Sequence, residues 1–208
     1  MRRPLFLVLA AAVPLLLYAR TATFGFVQAD DADLIAGNQA FLSGLGNVPR
    51  AFTRSYFEVE GELTPQKTYY RPLAVVSFMI DAARAGAAPG PYHLTNAVLH
   101  AAACCLLLAL ALSWGAAPWA GLAASLVFAV HPVNVQAVAW IAGRNDLLLA
   151  VFGLASLVCF TALKRSATAA AFLHIVTFAA ALASKETGLF FPAIALLHHG
   201  LVVRAPLS

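Results

Sequence analysis

Charge is what this chain has least of. Thirteen Lys and Arg and nine Asp and Glu make up only 11% of its 208 residues, while 62% are hydrophobic. Soluble domains carry about a quarter charged and about half apolar residues. A freely soluble globular domain is therefore excluded, and the mean hydropathy of +0.82 reads as an integral membrane protein in a lipid bilayer. The net charge of +4 forms no basic patch with interleaved aromatics, which excludes a nucleic-acid partner. Cysteine is scarce as well. Cys104 and Cys105 are adjacent inside one apolar run and Cys159 lies in another, with no CxxC pair. That spacing offers no metal site and reads as small buried apolar residues. Internal repeats and low-complexity tracts are also missing.

What is present is a series of apolar runs. Arg2 and Arg3 precede the run 4–27, broken only by Arg20. It could be a signal peptide, with small residues at 19–22. It could also be a first membrane helix, since a run of this length reaches roughly 36 Å. Its continuation past Arg20 favours the helix. Residues 28–91 form a long polar loop. Within it Leu34, Ile35, Phe41, Leu42 and Leu45, and then Phe52, Tyr56 and Phe57, repeat at helical spacing, predicting short amphipathic helices on the membrane surface. The run 73–80 is too short to span and predicts a re-entrant or interfacial helix. A breaker cluster follows at 82–91. Five more spans are expected at 92–112, 118–130, 147–163, 167–183 and 188–203. The expected fold is an all-α polytopic membrane protein, a single membrane domain over 1–208. It has about six transmembrane helices plus short interfacial helices in the first external loop.

Charge placement gives the orientation. With the N-terminus cytoplasmic, the segments 1–4, 113–117, 164–166 and 204–208 lie inside and hold Arg2, Arg3, Lys164, Arg165 and Arg204 but no acid. That is the positive-inside pattern. Every Asp and Glu then falls on the opposite, external side, which for a bacterial inner membrane is the periplasm.

Five polar constellations reach that side. Asp30 and Asp31 follow the first span; such carboxylates can serve as a general base, stabilise positive charge or bind a divalent cation. Solvated acids at a helix start are the simpler alternative. Tyr69, Tyr70 and Arg71 suit a phosphate group, or equally an interfacial aromatic anchor with a snorkelling Arg. His93, Asn96 and His100 sit at i, i+3 and i+7, so they share one face and predict a polar seam between helices. The stretch 131–146, HPVNVQAVAWIAGRND, interrupts an apolar region. Pro132 disfavours helix at His131, and Arg144, Asn145 and Asp146 stand at the start of the next helix, where Asn145 or Asp146 could simply cap it. Last comes Ser184-Lys185-Glu186, between two short apolar helices.

In order, these read F-V…D-D, Y-R-P-L, Y-H-L-T-N…H, H-P-V…A-V-x-W-I-x-G-R-x-D-L-L and S-K-E. The set resembles the membrane domain of the transmembrane and tetratricopeptide-repeat O-mannosyltransferase family and its bacterial relatives, over residues 26–192. The resemblance implies a GT-C-type glycosyltransferase that takes a sugar from a polyprenyl-phosphate donor at the periplasmic or lumenal face. Mannose is the sugar it suggests, with a protein or glycan acceptor. Two departures stand out, Gln136 where the family pattern has Glu and Asn145 where it often has Lys. Family members generally have more spans and a C-terminal repeat domain, so this chain is expected to be an N-terminal part, a truncated product or a reduced relative.

Transfer from a lipid phosphate needs the leaving phosphate neutralised, the acceptor hydroxyl deprotonated and an oxocarbenium-like sugar stabilised. Asp30 or Asp31 is the expected base or electrostatic partner. Arg71, Arg144 and Lys185 are the candidates for the phosphate. His93, His131, Asp146 and Glu186 are the further substrate contacts. No residue is assigned as a metal ligand. The rival expectation is a non-catalytic multi-pass protein that binds lipid or glycan.

Overall fold

The computed structural model describes residues 3–28, 30–58, 69–162 and 167–200. Among them every regular element is helical. Helix α1 (Arg3–Tyr18) continues as a 3₁₀ turn, Ala19–Thr23. A single π turn, Ala32–Ala36, and two one-turn helices, α2 (Gln39–Leu42) and α3 (Val48–Ala51), follow that first helix. Then come α4 (Pro72–Ala85), α5 (Pro89–Ser113), α6 (Pro118–Val130) and the short α7 (Asn134–Ala139). After a 3₁₀ turn, Ile141–Gly143, the chain runs into α8 (Arg144–Ala162), α9 (Ala167–Ser184) and α10 (Phe191–His198).

Proline sets several of these boundaries. Pro72, Pro89 and Pro118 open α4, α5 and α6, where a missing N–H is no loss and the fixed φ suits the first turn. Pro132 ends α6: His131 takes an extended conformation at φ −66° and ψ 128°, as the residue before a proline must. Gly86 ends α4 with φ +56°, a backbone that other residues adopt only with strain.

Three stretches are long and apolar enough to cross a membrane: Pro4–Thr23, Pro89–Ser113 and Ile141–Ala162. Pro118–Val130, Thr168–Ser184 and Glu186–His198 are apolar but shorter. Three of the six expected spans thus reach spanning length among the described residues. Helix α5 is the hub, packing on α1, α6 and α8, while α8 packs along α9. Two boundaries move from expectation. Helix α4 runs on through Ala85, and α5 starts at Pro89, because proline can open a helix as well as break one.

The short helices between α1 and α4 also differ from expectation. Leu34, Ile35, Leu42, Ala51 and Tyr56 pack with Phe78, Met79, Tyr92, Ile141 and Leu148 in one buried cluster. Much of the apolar spacing read as a membrane-surface face is therefore buried within the protein, while Leu45 and Phe52 remain exposed. Helical periodicity shows that one face is apolar; it does not say what covers it. The basic residues Arg2, Lys164, Arg165 and Arg204, on which the orientation rests, lie outside the described residues, as do Glu60 and Glu62.

Candidate functional site

A cavity of about 490 Å³ opens where the 131–146 stretch meets the segment between α1 and α4 and the start of the 3₁₀ turn Glu186–Phe190. Its charged lining is Asp30, Arg71, Asp146 and Lys185, with Asn134, Gln136 and Asn145 as neutral polar groups and Tyr56, Phe57 and Trp140 as aromatic walls. Four elements distant in sequence thus converge on one space.

Both cations are held by acids. Glu186 receives the Arg71 guanidinium in a two-point grip, Nη2 to Oε1 at 2.9 Å and Nε to Oε2 at 3.3 Å. The same guanidinium lies over Tyr69, 4.6 Å from the ring centroid, and near Tyr56 at 5.5 Å. These hydrogen bonds hold the Glu186 carboxyl below the ordinary glutamate range. Lys185 Nζ donates to Asp146 Oδ1 at 2.5 Å. Two potential hydrogen-bonding groups in the wall have no partner among the described residues, the Trp140 indole N–H and the Asn145 Oδ1.

Asp30 and Asp31 are adjacent but face different ways. Asp30 lines the cavity. Asp31 is fully buried, with Oδ1 accepting from the Ala142 N–H at 2.9 Å and Oδ2 from the Val27 N–H at 3.1 Å. It fastens the exit of the first span to the turn before α8. Burial pushes its carboxyl above the ordinary aspartate range, against the pull of those two N–H groups.

Arg144 likewise points inward, 0% exposed. Its Nη1 pairs with Asp81 Oδ2 at 2.6 Å, its Nε donates to Asn96 Oδ1 at 2.8 Å and its Nη2 to the Tyr92 carbonyl at 2.8 Å. Phe78 flanks the guanidinium, 4.7 Å from ring centroid to Cζ. The 93, 96 and 100 seam is buried as its spacing predicts. His93 contacts the Gly25 carbonyl at 3.3 Å and His100 the Ala129 carbonyl at 3.1 Å. Asn96 Nδ2 donates to the Trp140 carbonyl at 3.1 Å, tying α5 to the turn. His131 is exposed, its Nδ1 accepting from the Val133 N–H at 3.2 Å.

Of the residues singled out from sequence, the cavity collects Asp30, Arg71, Asp146 and Lys185, with Glu186 reaching it through Arg71. Asp31, His93 and Arg144 form the structure behind it, and His131 lies outside its lining. Sequence reasoning undervalued Tyr56, which it took as one apolar position among several, and Trp140. The two departures from the family pattern, Gln136 and Asn145, both line this cavity, so the signal for them was present. Gly143 closes the wall. A Cβ there would stand 2.9 Å from the Gln136 carbonyl oxygen and 3.0 Å from the Ala137 Cα, so only glycine allows the turn to pass so close. Among the described residues, no three His, Cys, Asp or Glu side chains gather as metal ligands would.

The fold and cavity together define a helical membrane protein with a charge-paired polar site beside its apolar bundle. Comparison with known proteins narrows the class. The chain is 37% identical over 136 residues to "Protein O-mannosyl-transferase Tmtc2" of Drosophila melanogaster, covering 65% of this chain and 14% of that protein. It is 34% identical over 154 residues to "Protein O-mannosyl-transferase TMTC2" of Homo sapiens, covering 73% of this chain and 18% of that protein. With "Protein O-mannosyl-transferase TMTC4" of Mus musculus the identity is 33% over 160 residues, 69% of this chain and 21% of the relative. Over that length the chain is a homologue of the TMTC proteins, the family its ordered motifs resemble. It spans less than a quarter of the length of these relatives. No family model matches the chain, and no solved structure matches it.

Proposed function

We propose that the cavity is the donor and transfer site of a membrane glycosyltransferase of GT-C type. In this reading it takes mannose from a polyprenyl-phosphate carrier and passes it to a protein hydroxyl on the periplasmic or lumenal side. The observation that carries the proposal is the meeting of Asp30 with Arg71 and Lys185 in one cavity. Asp30 takes the proton of the acceptor hydroxyl. The acceptor oxygen bonds to the sugar C1 as the bond from C1 to the phosphate oxygen breaks. The departing phosphate moves onto Arg71 and Lys185, which charge-assisted hydrogen bonds suit to that task. Glu186 and Asp146 hold the two cations in place beforehand, so little reorganisation is needed at the moment of reaction. Trp140 N–H and Asn145 Oδ1 are the groups left to meet sugar hydroxyls. Asp31 fixes the segment that carries Asp30.

The homologues' names support the transferase reading, though they belong to much longer proteins. The test uses the full-length protein that contains this chain, purified and given labelled polyprenyl-phosphate mannose. Asp30→Asn is expected to lower transfer at least a hundred-fold while donor binding persists, the scale of losing a general base. Full activity in Asp30→Asn overturns the assignment of the base, and full activity in the double variant with Asp31→Asn removes both carboxylates from the reaction. Donor binding without any transfer by the unaltered protein supports the rival, non-catalytic reading instead.

A further inference from the structure

A second cavity, about 220 Å³, opens among the short external helices, and its lining shares no residue with the first. Its polar and aromatic walls are Asn38, Phe41, Asn47, Arg50 and Arg54. Both guanidiniums lie over one ring. Arg54 is 4.7 Å and Arg50 5.7 Å from the Phe41 centroid. Glu58 holds Arg54 by its Nε at 2.9 Å, and Asn47 Oδ1 accepts from Arg50 Nη1 at 3.4 Å. Among the described residues, the site carries net positive charge even with Glu58 counted. Asn38 is only 6% exposed and lines the cavity.

The surroundings indicate which ligand. Leu45 and Phe52 flank Arg50 in the chain and are 52% and 43% exposed. Basic residues beside exposed Leu and Phe, on short helices just beyond a membrane span, belong at headgroup level. Arginine forks match the geometry of phosphate oxygens, and an asparagine amide adds a neutral donor. We propose that this cavity binds the phosphate of an anionic phospholipid headgroup and so seats the external helices on the bilayer. The proposal is independent of the transferase reading, because it needs neither the first cavity nor a sugar.

The test titrates the full chain in a neutral detergent with short-chain phosphatidylglycerol, short-chain phosphatidylcholine and glycerol phosphate, reading bound ligand by native mass spectrometry. Phosphatidylglycerol is expected to bind in preference to the other two. Arg50→Gln, at an exposed position, should weaken it about five-fold, the usual effect of one basic residue at an anionic surface. Arg54→Gln combined with Glu58→Gln, which leaves no acid unpaired, should weaken it further. Arg84→Gln, at an exposed arginine outside the cavity, should change nothing. Equal weakening by Arg84→Gln, or none by Arg50→Gln, overturns the site. Glycerol phosphate binding as tightly as phosphatidylglycerol overturns the lipid assignment in favour of a soluble phosphate. Arg50→Gln keeps the test decisive even if the double variant fails to fold, since Arg50 is exposed.

Discussion

Two sets of ion pairs stand within a few residues of one another and do opposite work. Asp81 and Arg144 are sealed inside, with side chains 3% and 0% exposed. Lys185 and Asp146 are 22% and 45% exposed, and Arg71 and Glu186 are 10% and 56% exposed. Arg144 and Asp146 sit in the same first turn of α8, two positions apart, so the helix sends one charge inward and the other to the cavity. Burying a charge is tolerable only when its partners are complete. Arg144 has a carboxylate, an amide oxygen and backbone carbonyls, so it acts as a fastener joining α4, α5 and α8. Among the outer pairs, Lys185 and Asp146 keep part of their hydration and contribute little to stability. Their value lies in holding cations ready at a cavity wall.

The largest expected effect comes from breaking the inner pair. Arg144→Met leaves Asp81 buried without its countercharge, which destabilises by about 3–5 kcal/mol. Thermal unfolding of the purified chain in detergent measures it. Adding Asp81→Leu should restore only part of the loss, because Asn96 Oδ1 and the Tyr92 carbonyl would still lack their donor. Full stability in the single variant would mean that Arg144 is not the fastener its contacts indicate.

Asp31 is intermediate, buried like Arg144 but neutralised by backbone rather than by a cation. Asp31→Ala leaves the Ala142 N–H without an acceptor, a loss of about 1–3 kcal/mol. The pH dependence has a definite sign. Burial raises the folded-state pKa of Asp31 above its unfolded value. Its contribution is therefore complete below the unfolded pKa and is lost as pH rises through the folded one. The stability difference between the unaltered chain and Asp31→Asn should narrow as pH climbs from acid toward neutral. A difference that widens instead would mean that the two N–H groups outweigh burial.

The same division explains what could be read from the sequence. Pro132 and the 93, 96 and 100 spacing are local signals, and the structure follows them, because helix ends and helix faces are set within a few residues. That Asp30, Arg71, Asp146 and Lys185 share a cavity was legible only as a shared side of the membrane. Which charge turns inward was not legible. Arg144 looked like a phosphate ligand as much as Arg71 did, since both stand beside polar residues near a helix start. The choice between them depends on Asp81, Asn96 and Ser77 arriving from α4 and α5, which no local pattern encodes. Tyr56 was lost for the related reason that an apolar stripe does not name its partner.

The smallest stability effect is expected at the cavity, and there the contrast becomes sharpest. Lys185→Met should change stability by less than about 1 kcal/mol, and added salt should shrink that further by screening. The Glu186 carboxyl sits below its ordinary range in the folded chain. The grip on Arg71 is thus fully present above the unfolded pKa of Glu186 and is lost as pH falls through the depressed folded value. Glu186→Gln should lack this acid-side loss. Donor binding is the other half of the measurement. If the outer pairs hold cations for a phosphate, Lys185→Met should weaken binding of a polyprenyl-phosphate at least ten-fold, the scale of one charge-assisted hydrogen bond, while unfolding barely shifts. A variant that loses stability and binding together would place Lys185 with Arg144 among the fasteners, and the distinction between the two sets of pairs would fail.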